Sequence, residues 1–187
     1  MLSQHLFDPP VSIEPLTDSH VEALRVACAE DPGIWEVYPV SMLDALFDPS
    51  LAMFRTLPGW VNFAVHDDSR LVGMTHYIPS RDRNDAIEIG GTYIAPSVRG
   101  GPFNQKMKRL LIDHGFACGF AFVEFRVDTR NLRSIRAVEK LGAARIATHE
   151  RDLQTWTGHW RSTAVFSIAR ADWAGKLRSS ISQQIDA

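Results

Sequence analysis

The sequence predicts an α/β fold, a central twisted mixed β-sheet flanked by helices, and three observations point to it. Short β-rich runs follow one another from Trp60 to Ile94, joined by turn-rich segments of the kind that link neighbouring antiparallel strands. The last of these runs enters a glycine turn, Ser97-Val98-Arg99-Gly100-Gly101-Pro102-Phe103-Asn104, which opens a segment of helical periodicity. A strand over Val123, Phe125 and Val127 then leads into a second helical segment closed by Gly142. At 187 residues and 45% apolar composition the chain can bury a substantial core, and 1–187 reads as a single domain.

The elements follow in order. Val11, Ile13 and Leu16 suggest a first strand, after which Thr17 or Asp18 caps a helix through Val21, Leu24, Val26 and Cys28 that stops at Asp31-Pro32-Gly33. Ile34 to Pro39 carries Trp35 and Tyr38 outside any clear period. Ser41 is placed to cap a second helix with Met42, Leu43, Leu46 and Phe47 and, beyond Pro49, Leu51 and Phe54. Pro58-Gly59 turns into a strand over Trp60 to Val65. His66 to Arg70 reads as a hairpin into Leu71 to Ile78, and Arg81 to Asp85 as another into the strand of Glu88, Ile89, Tyr93 and Ile94. After the glycine turn, Met107, Leu110, Leu111, His114 and Cys118 form an apolar stripe, with Gln105, Lys106, Lys108, Arg109 and Asp113 mostly on the other side. A short helix past Trp173 ends the chain, and Ser179 to Ala187 is expected to fray.

Composition narrows the function classes. A net charge of −2 gives no global basicity for nucleic acid, and no apolar run approaches the ~20 residues of a membrane span. Met1 to Pro10 lacks the basic and apolar halves of a secretory signal. Cys28 and Cys118 are far apart and on helical patterns, reading as reduced residues of a cytoplasmic protein. The seven histidines show no paired ligand spacing, so no metal is expected.

The glycine turn carries the chemistry that the sequence offers most directly. Glycines let the backbone take positive φ or approach a ligand closely, Asn104 is placed to cap the first turn, and the free N–H groups with the helix dipole suit an anion, most naturally a phosphate. Arg99 offers a second contact. An ordinary strand-to-helix turn without a ligand has the same local sequence.

The ordered set Arg99-Gly100, Asn104, Lys108, Phe116, Val127, Thr129, Asn131, Ser134, Ala137 and Glu139-Lys140-Leu141-Gly142 resembles the acetyl-coenzyme A core of the GCN5-related N-acetyltransferases (GNAT), and most closely the branch of the ribosomal-protein N-terminal acetyltransferases. Gly158, Arg161, Thr163, Phe166, Ser167, Trp173 and Leu177 extend the likeness to that branch's closing strand and tail, so that it covers roughly residues 63–177, strongest over 88–142. The resemblance implies a GNAT-like fold and an enzyme using acetyl-coenzyme A as cosubstrate, without a metal. It implies that the pantetheine arm lies along Gly91 to Ile94, including Tyr93, with the diphosphate at the N–H groups of Arg99, Gly100, Gly101, Phe103 and Asn104. Asn131 and Ser134 would meet the cofactor arm and sulfur, Ser134 stabilising or protonating the leaving thiolate; its hydroxyl also suits a local helix cap. Glu88 would be the base, acting through water on the acceptor ammonium, although a strand glutamate also suits a solvated edge. Trp35, Tyr38 and His76 would contact the acceptor, His149 more remotely; aromatics here also fit plain packing.

Three positions depart from the family pattern. Pro102 stands where the turn usually has its second glycine, donates no N–H and biases Gly101 towards extended backbone. Val138 stands where many members have a tyrosine acid, leaving that role to Ser134, to a water or to nothing. Ile146-Ala147 stands where the branch commonly has Glu-Gly. The expected acceptor is a small-molecule amine or a peptide N-terminus, with dimerisation common among relatives. An acyl-coenzyme A sensor without turnover is the alternative.

Overall fold

The computed structural model describes residues 1–175. Eight strands form one sheet: β1 (Leu6–Asp8), β2 (Val11–Pro15), β3 (Val61–Asp67), β4 (Arg70–Pro79), β5 (Ala86–Ile94), β6 (Phe122–Asp128), β7 (Ala144–Gln154) and β8 (Trp160–Ala169). Among the described residues, helices α1 (Val21–Ala29), α2 (Asp44–Thr56), α3 (Pro102–Ala117) and α4 (Leu132–Lys140) flank it. The strand order is β1-β2-β3-β4-β5-β6-β8-β7, and every neighbouring pair is antiparallel except β5 with β6. The predicted mixed sheet flanked by helices is the architecture found. The connection from β5 to parallel β6 runs through α3, because a parallel neighbour cannot be reached by a tight turn.

Each face of the sheet has its own core. On one side Ile87, Ile89, Val123, Phe125, Leu111 and Phe166 are buried beneath α3; on the other Leu24, Trp35, Phe47, Met74 and Tyr93 are buried beneath α1 and α2. Strand alternation assigns Ile87 and Ile89 to the α3 side and Glu88 and Gly90 to the other. That alternation breaks within β5. Pairing with β4 runs Met74 to Tyr93 but His76 to Gly90, so β5 carries one extra residue around Gly91 and Thr92. Beyond this bulge Ile94 joins the α3 core while Tyr93 turns to the α1 and α2 core.

Several elements differ from expectation for local reasons. The strand β1 was not legible, because three residues with one buried side chain carry too little pattern. Thr17 starts a single 3₁₀ turn, Asp18–His20, that feeds α1. Ser41 does not cap α2, which begins at Asp44; its carbonyl accepts the Ser50 hydroxyl, and its own hydroxyl is buried without a partner among the described residues. Nor does Asn104 cap α3. Gly101 is the N-cap in extended backbone (φ −99°), and Pro102 takes the first helical position, where a missing N–H removes only a donor that the helix leaves free. Lys108, placed by the sequence on the polar side of α3, is buried. Residues 170–175 are helical, and the indole of the buried Trp173 donates to Asp113. Leu177 and Ser179 to Ala187 lie outside the described residues.

Candidate active site

Strands β5 and β6 pair over only three residues, from Ala86 with Phe122 to Glu88 with Glu124, although β5 continues to Ile94 and β6 to Asp128. Past Glu88 the edge of β5 has no partner strand on that side among the described residues; Tyr38 and Arg99 take the Thr92 and Ile94 carbonyls, and the remaining backbone groups are available to something else. A cleft of about 950 Å³ occupies this split. It runs from the glycine turn and α4, past the bulge of β5, to the face of the sheet opposite α3.

The turn end is open and basic. Gly100 has φ +76°, which glycine adopts without strain, and a Cβ added at Gly100 or Gly101 would meet nothing within 4 Å. Gly100, Gly101, Asn104, Asn131, Ser134 and Arg99 all line the cleft, with Arg133, Arg136 and Lys140 beside them. The first-turn N–H groups of α3 and its positive dipole end favour an anion here. The Arg99 side chain is already engaged: its Nε donates to the Ile94 carbonyl at 2.7 Å and its terminal nitrogen pairs with Asp31. Asn131 caps α4 by accepting the Ser134 N–H at 3.0 Å. The Ser134 hydroxyl has no hydrogen-bond partner among the described residues, so the capping is done by its neighbour. Phe103 and Tyr93 do not line the cleft with their side chains. Phe103, in the first turn of α3, points into the core on that side of the sheet, while Tyr93 stacks on Trp35 at 4.9 Å and donates to the Ala27 carbonyl.

The middle of the cleft is built on the bulge. Gly91 has φ +56°, and a Cβ there would lie 2.4 Å from His76 Cδ2. His76 is fully buried and does not line the cleft. The Asn62 amide donates to the Phe54 carbonyl, which turns its oxygen to His76 Nδ1 at 2.7 Å and fixes the ring proton there. Burial, helped by the Lys108 charge, pushes the imidazole down to about 3, so it remains neutral. Lys108 Nζ donates to Thr92 Oγ1 at 2.7 Å, Thr92 Oγ1 meets Thr75 Oγ1 at 2.8 Å, and the Tyr38 hydroxyl donates to the Thr92 carbonyl. Burial lowers the ammonium to about 7, with the Glu88 charge pulling the other way.

At the far end Glu88 is 6% exposed. Burial pushes its carboxyl up to about 7, against the opposing charges of Arg126, Arg81 and Arg161. It shares its sheet face with Glu124, Arg126 and Asp128 of β6 and, through the β6 to β8 register, with Thr163 and Arg161. Asp128 is buried, which raises its pKa, but hydrogen bonds from Arg130 outweigh this and hold it below the usual range. Facing these charges are Tyr38, Met53, Phe54, Leu57 and Trp60, an apolar wall from α2 and the 3₁₀ segment Pro32–Val37 with its flanks. Trp35 is the anchor of that segment: wholly buried, its indole donates to the Cys28 carbonyl, and its own carbonyl accepts from Trp156 of the turn between β7 and β8. The structure therefore brings Glu88, Ser134, Asn131, Tyr38 and the glycine turn to one cleft, and leaves His76 behind its wall. His149 does not line it either.

Sequence reasoning missed Lys108, Arg126 and the pocket-facing role of Arg161. Lys108 follows Met107 and precedes Leu111, a spacing that hinted at the buried side of α3. Arg126 alternates with Val123, Phe125 and Val127 and so had to face away from the α3 core, like Glu88. The structure also gathers Glu14, His20 and His66 within 4.8 Å of one another, away from the cleft, a grouping that their spacing did not reveal. His20 Nδ1 accepts the Thr17 N–H, so the ring proton sits on the Nε2 facing Glu14, as in a hydrogen-bonded cluster.

Residues 11–144 match the family model described as an acetyltransferase (GNAT) domain. Among solved structures, the chain is similar to a probable GNAT-family acetyltransferase from Chromobacterium violaceum, at 25% identity and TM-score 0.84, over 92% of this chain and 89% of that one. A putative acetyltransferase from T. thermophilus shares 27% identity at TM-score 0.82, over 92% of each chain. RimJ of Mycobacterium smegmatis, in complex with CoA-disulfide, has the same fold at 20% identity and TM-score 0.75, over 90% of this chain and 87% of that one. No curated protein matches the chain.

Proposed function

The chain belongs to the GNAT acetyltransferase family, and on that premise we propose that it transfers acetyl from acetyl-coenzyme A to a primary amine, of a small molecule or a peptide N-terminus, by direct attack. One observation carries the reading: a single cleft joins the basic glycine turn, through the split between β5 and β6, to a buried carboxyl group.

The residues fit this cosubstrate. Gly100 and Gly101 leave room for phosphates against the start of α3, Arg133, Arg136 and Lys140 supply charge, and the unpaired edge of β5 offers backbone bonds to an amide-bearing arm. When bound, the coenzyme supplies an acetyl thioester whose thiol, with a pKa of ~8.5, leaves readily. Glu88, with an affinity for protons matched to neutral pH, takes the acceptor's ammonium proton, directly or through water. The free hydroxyl of Ser134, on the turn side of the split, is positioned to meet a departing thiolate. The neutral amine then attacks without a covalent enzyme intermediate, and no nucleophilic cysteine is needed: Cys28 is buried, and its burial pushes the thiol up to about 12.

The test is release of free thiol from acetyl-coenzyme A with a mixed panel of amines and N-terminal peptides, with product masses read alongside. Thiol release matched by a product heavier by one acetyl group is expected. Hydrolysis without an acetylated amine, or release unaffected by E88Q and S134A together, would overturn the proposal.

A further inference from the structure

Arg161 is the second residue of β8. Trp160 is 45% exposed, whereas Arg161 is 7% exposed and lines the cleft at its Glu88 end. Its Nε donates to Thr163 Oγ1 at 2.9 Å, and Thr163 in turn donates to Asp152 at 2.8 Å. That triad holds the guanidinium plane. The two terminal nitrogens, with four N–H groups, have no hydrogen-bond partner among the described residues, and no carboxylate there lies within ion-pair distance. The acids nearest in charge are otherwise committed: Asp128 holds Arg130, and Asp152 accepts from Thr163.

A second guanidinium beside it is engaged differently. Arg126, its side chain only 6% exposed, also lines the cleft; one terminal nitrogen pairs with Asp82, and its buried Nε lies 3.5 Å from Glu88 Oε2 without a hydrogen bond among the described residues, so it adds positive charge rather than a free fork. Burying a charged group with donors unmet is costly, so donors that reach a cleft are open to a partner entering it. The free fork of Arg161 beside a carboxyl base, opposite an apolar wall, fits a molecule with an anionic oxygen pair, an amine and an apolar side chain.

We propose that the Glu88 end of the cleft is a carboxylate-binding subsite in which Arg161, supported by Arg126, holds the acceptor's carboxylate, so that the acceptor is a free α-amino acid with an apolar side chain. This rests on the acetyltransferase reading above. The zwitterion is matched group by group. Its carboxylate completes the Arg161 fork, its ammonium meets Glu88, and its side chain lies against Met53, Phe54, Leu57 and Trp60.

Two measurements test it. The first compares kcat/KM, in the wild type and in R161Q, for L-methionine, L-phenylalanine and L-tryptophan and for their carboxamides, which keep the amine and side chain and lose the charge. Wild-type preference for acid over carboxamide should fall by about 10- to 100-fold in R161Q, mostly through KM, as expected for the loss of a charge-assisted pair. R161K, which keeps the charge without the fork, should fall in between. The second uses binding alone: N-acetyl-L-phenylalanine should raise the unfolding temperature of the wild type, and should do so less for R161Q and R161K. Carboxamides turned over as well as the acids, an acid-to-carboxamide ratio unchanged in both variants, or no shift with the N-acetylated acid would each overturn the proposal. Thiol release with carboxamides but not acids would sink this subsite while leaving acetyl transfer intact; the binding measurement decides the subsite even where no acceptor is turned over.

Discussion

At the scale of residues, burial sets the chemistry. Glu88 sits on a strand face with three arginines near it, and yet burial prevails over their charges and holds its carboxyl at about 7. The sign of its effect on folding follows. The folded state keeps a proton that the unfolded chain releases near ~4.3, so the carboxyl stabilises the fold at acid pH and that contribution is lost as pH rises through about 7. In the proposed reaction the sign is the opposite, because only the carboxylate accepts a proton. The ratio kcat/KM should rise with pH through about 7, and that limb should vanish in E88Q with a loss of roughly 10²- to 10⁴-fold. A limb that persists in E88Q would assign the base elsewhere. Glu88 itself was legible in the sequence because the family likeness marked its strand. Its burial was not, since that depends on α2 and β6, which are distant in the chain.

Among the elements, β5 does the most to shape the cleft, through its bulge and its early parting from β6. The bulge reverses which side of the sheet successive side chains face, so that Glu88 and Gly90 before it line the cleft while Ile94 beyond it returns to the α3 core. Gly91 makes the bulge possible, at φ +56° with the His76 ring directly behind it. Replacing it by alanine places a methyl group 2.4 Å from a ring that Asn62 holds in place, in backbone that disfavours a Cβ. G91A should cost about 2–4 kcal/mol in urea unfolding, the sum of left-handed strain and overpacking. A cost under about 0.5 kcal/mol would mean that the bulge is not held this way. Alternation and the Gly-Gly pair in β5 were readable from sequence, but the bulge was not: one inserted residue leaves no compositional mark, and Gly90-Gly91 does not say which glycine takes positive φ.

Across the whole molecule, the order of strands and helices was legible because hydrophobic period and turn residues agree along most of the chain. Its failures fall where few residues carry the pattern, as in β1, or where long-range contacts override a local preference, as at Ser41 and Lys108. The site was half legible. The glycine turn, Asn131, Ser134 and Glu88 came from motif order, whereas the arginines of β6 and β8 converge only once those strands pair. Among the described residues no helix is long and apolar enough to cross a membrane. The sheet thus divides labour, with one half carrying the core under α3 and the other opening the split that joins turn to carboxyl.

The central claim is that this split holds acetyl-coenzyme A, and thermal unfolding of the purified protein with and without that ligand tests it most directly. At ~100 times its dissociation constant a ligand that binds only the folded state adds about 2.7 kcal/mol. The account predicts a rise in melting temperature of several degrees, reduced when Gly100 is replaced by a β-branched residue that cannot take φ +76° without strain. An unchanged melting temperature at saturating acetyl-coenzyme A would contradict the account and leave the cleft without its cosubstrate.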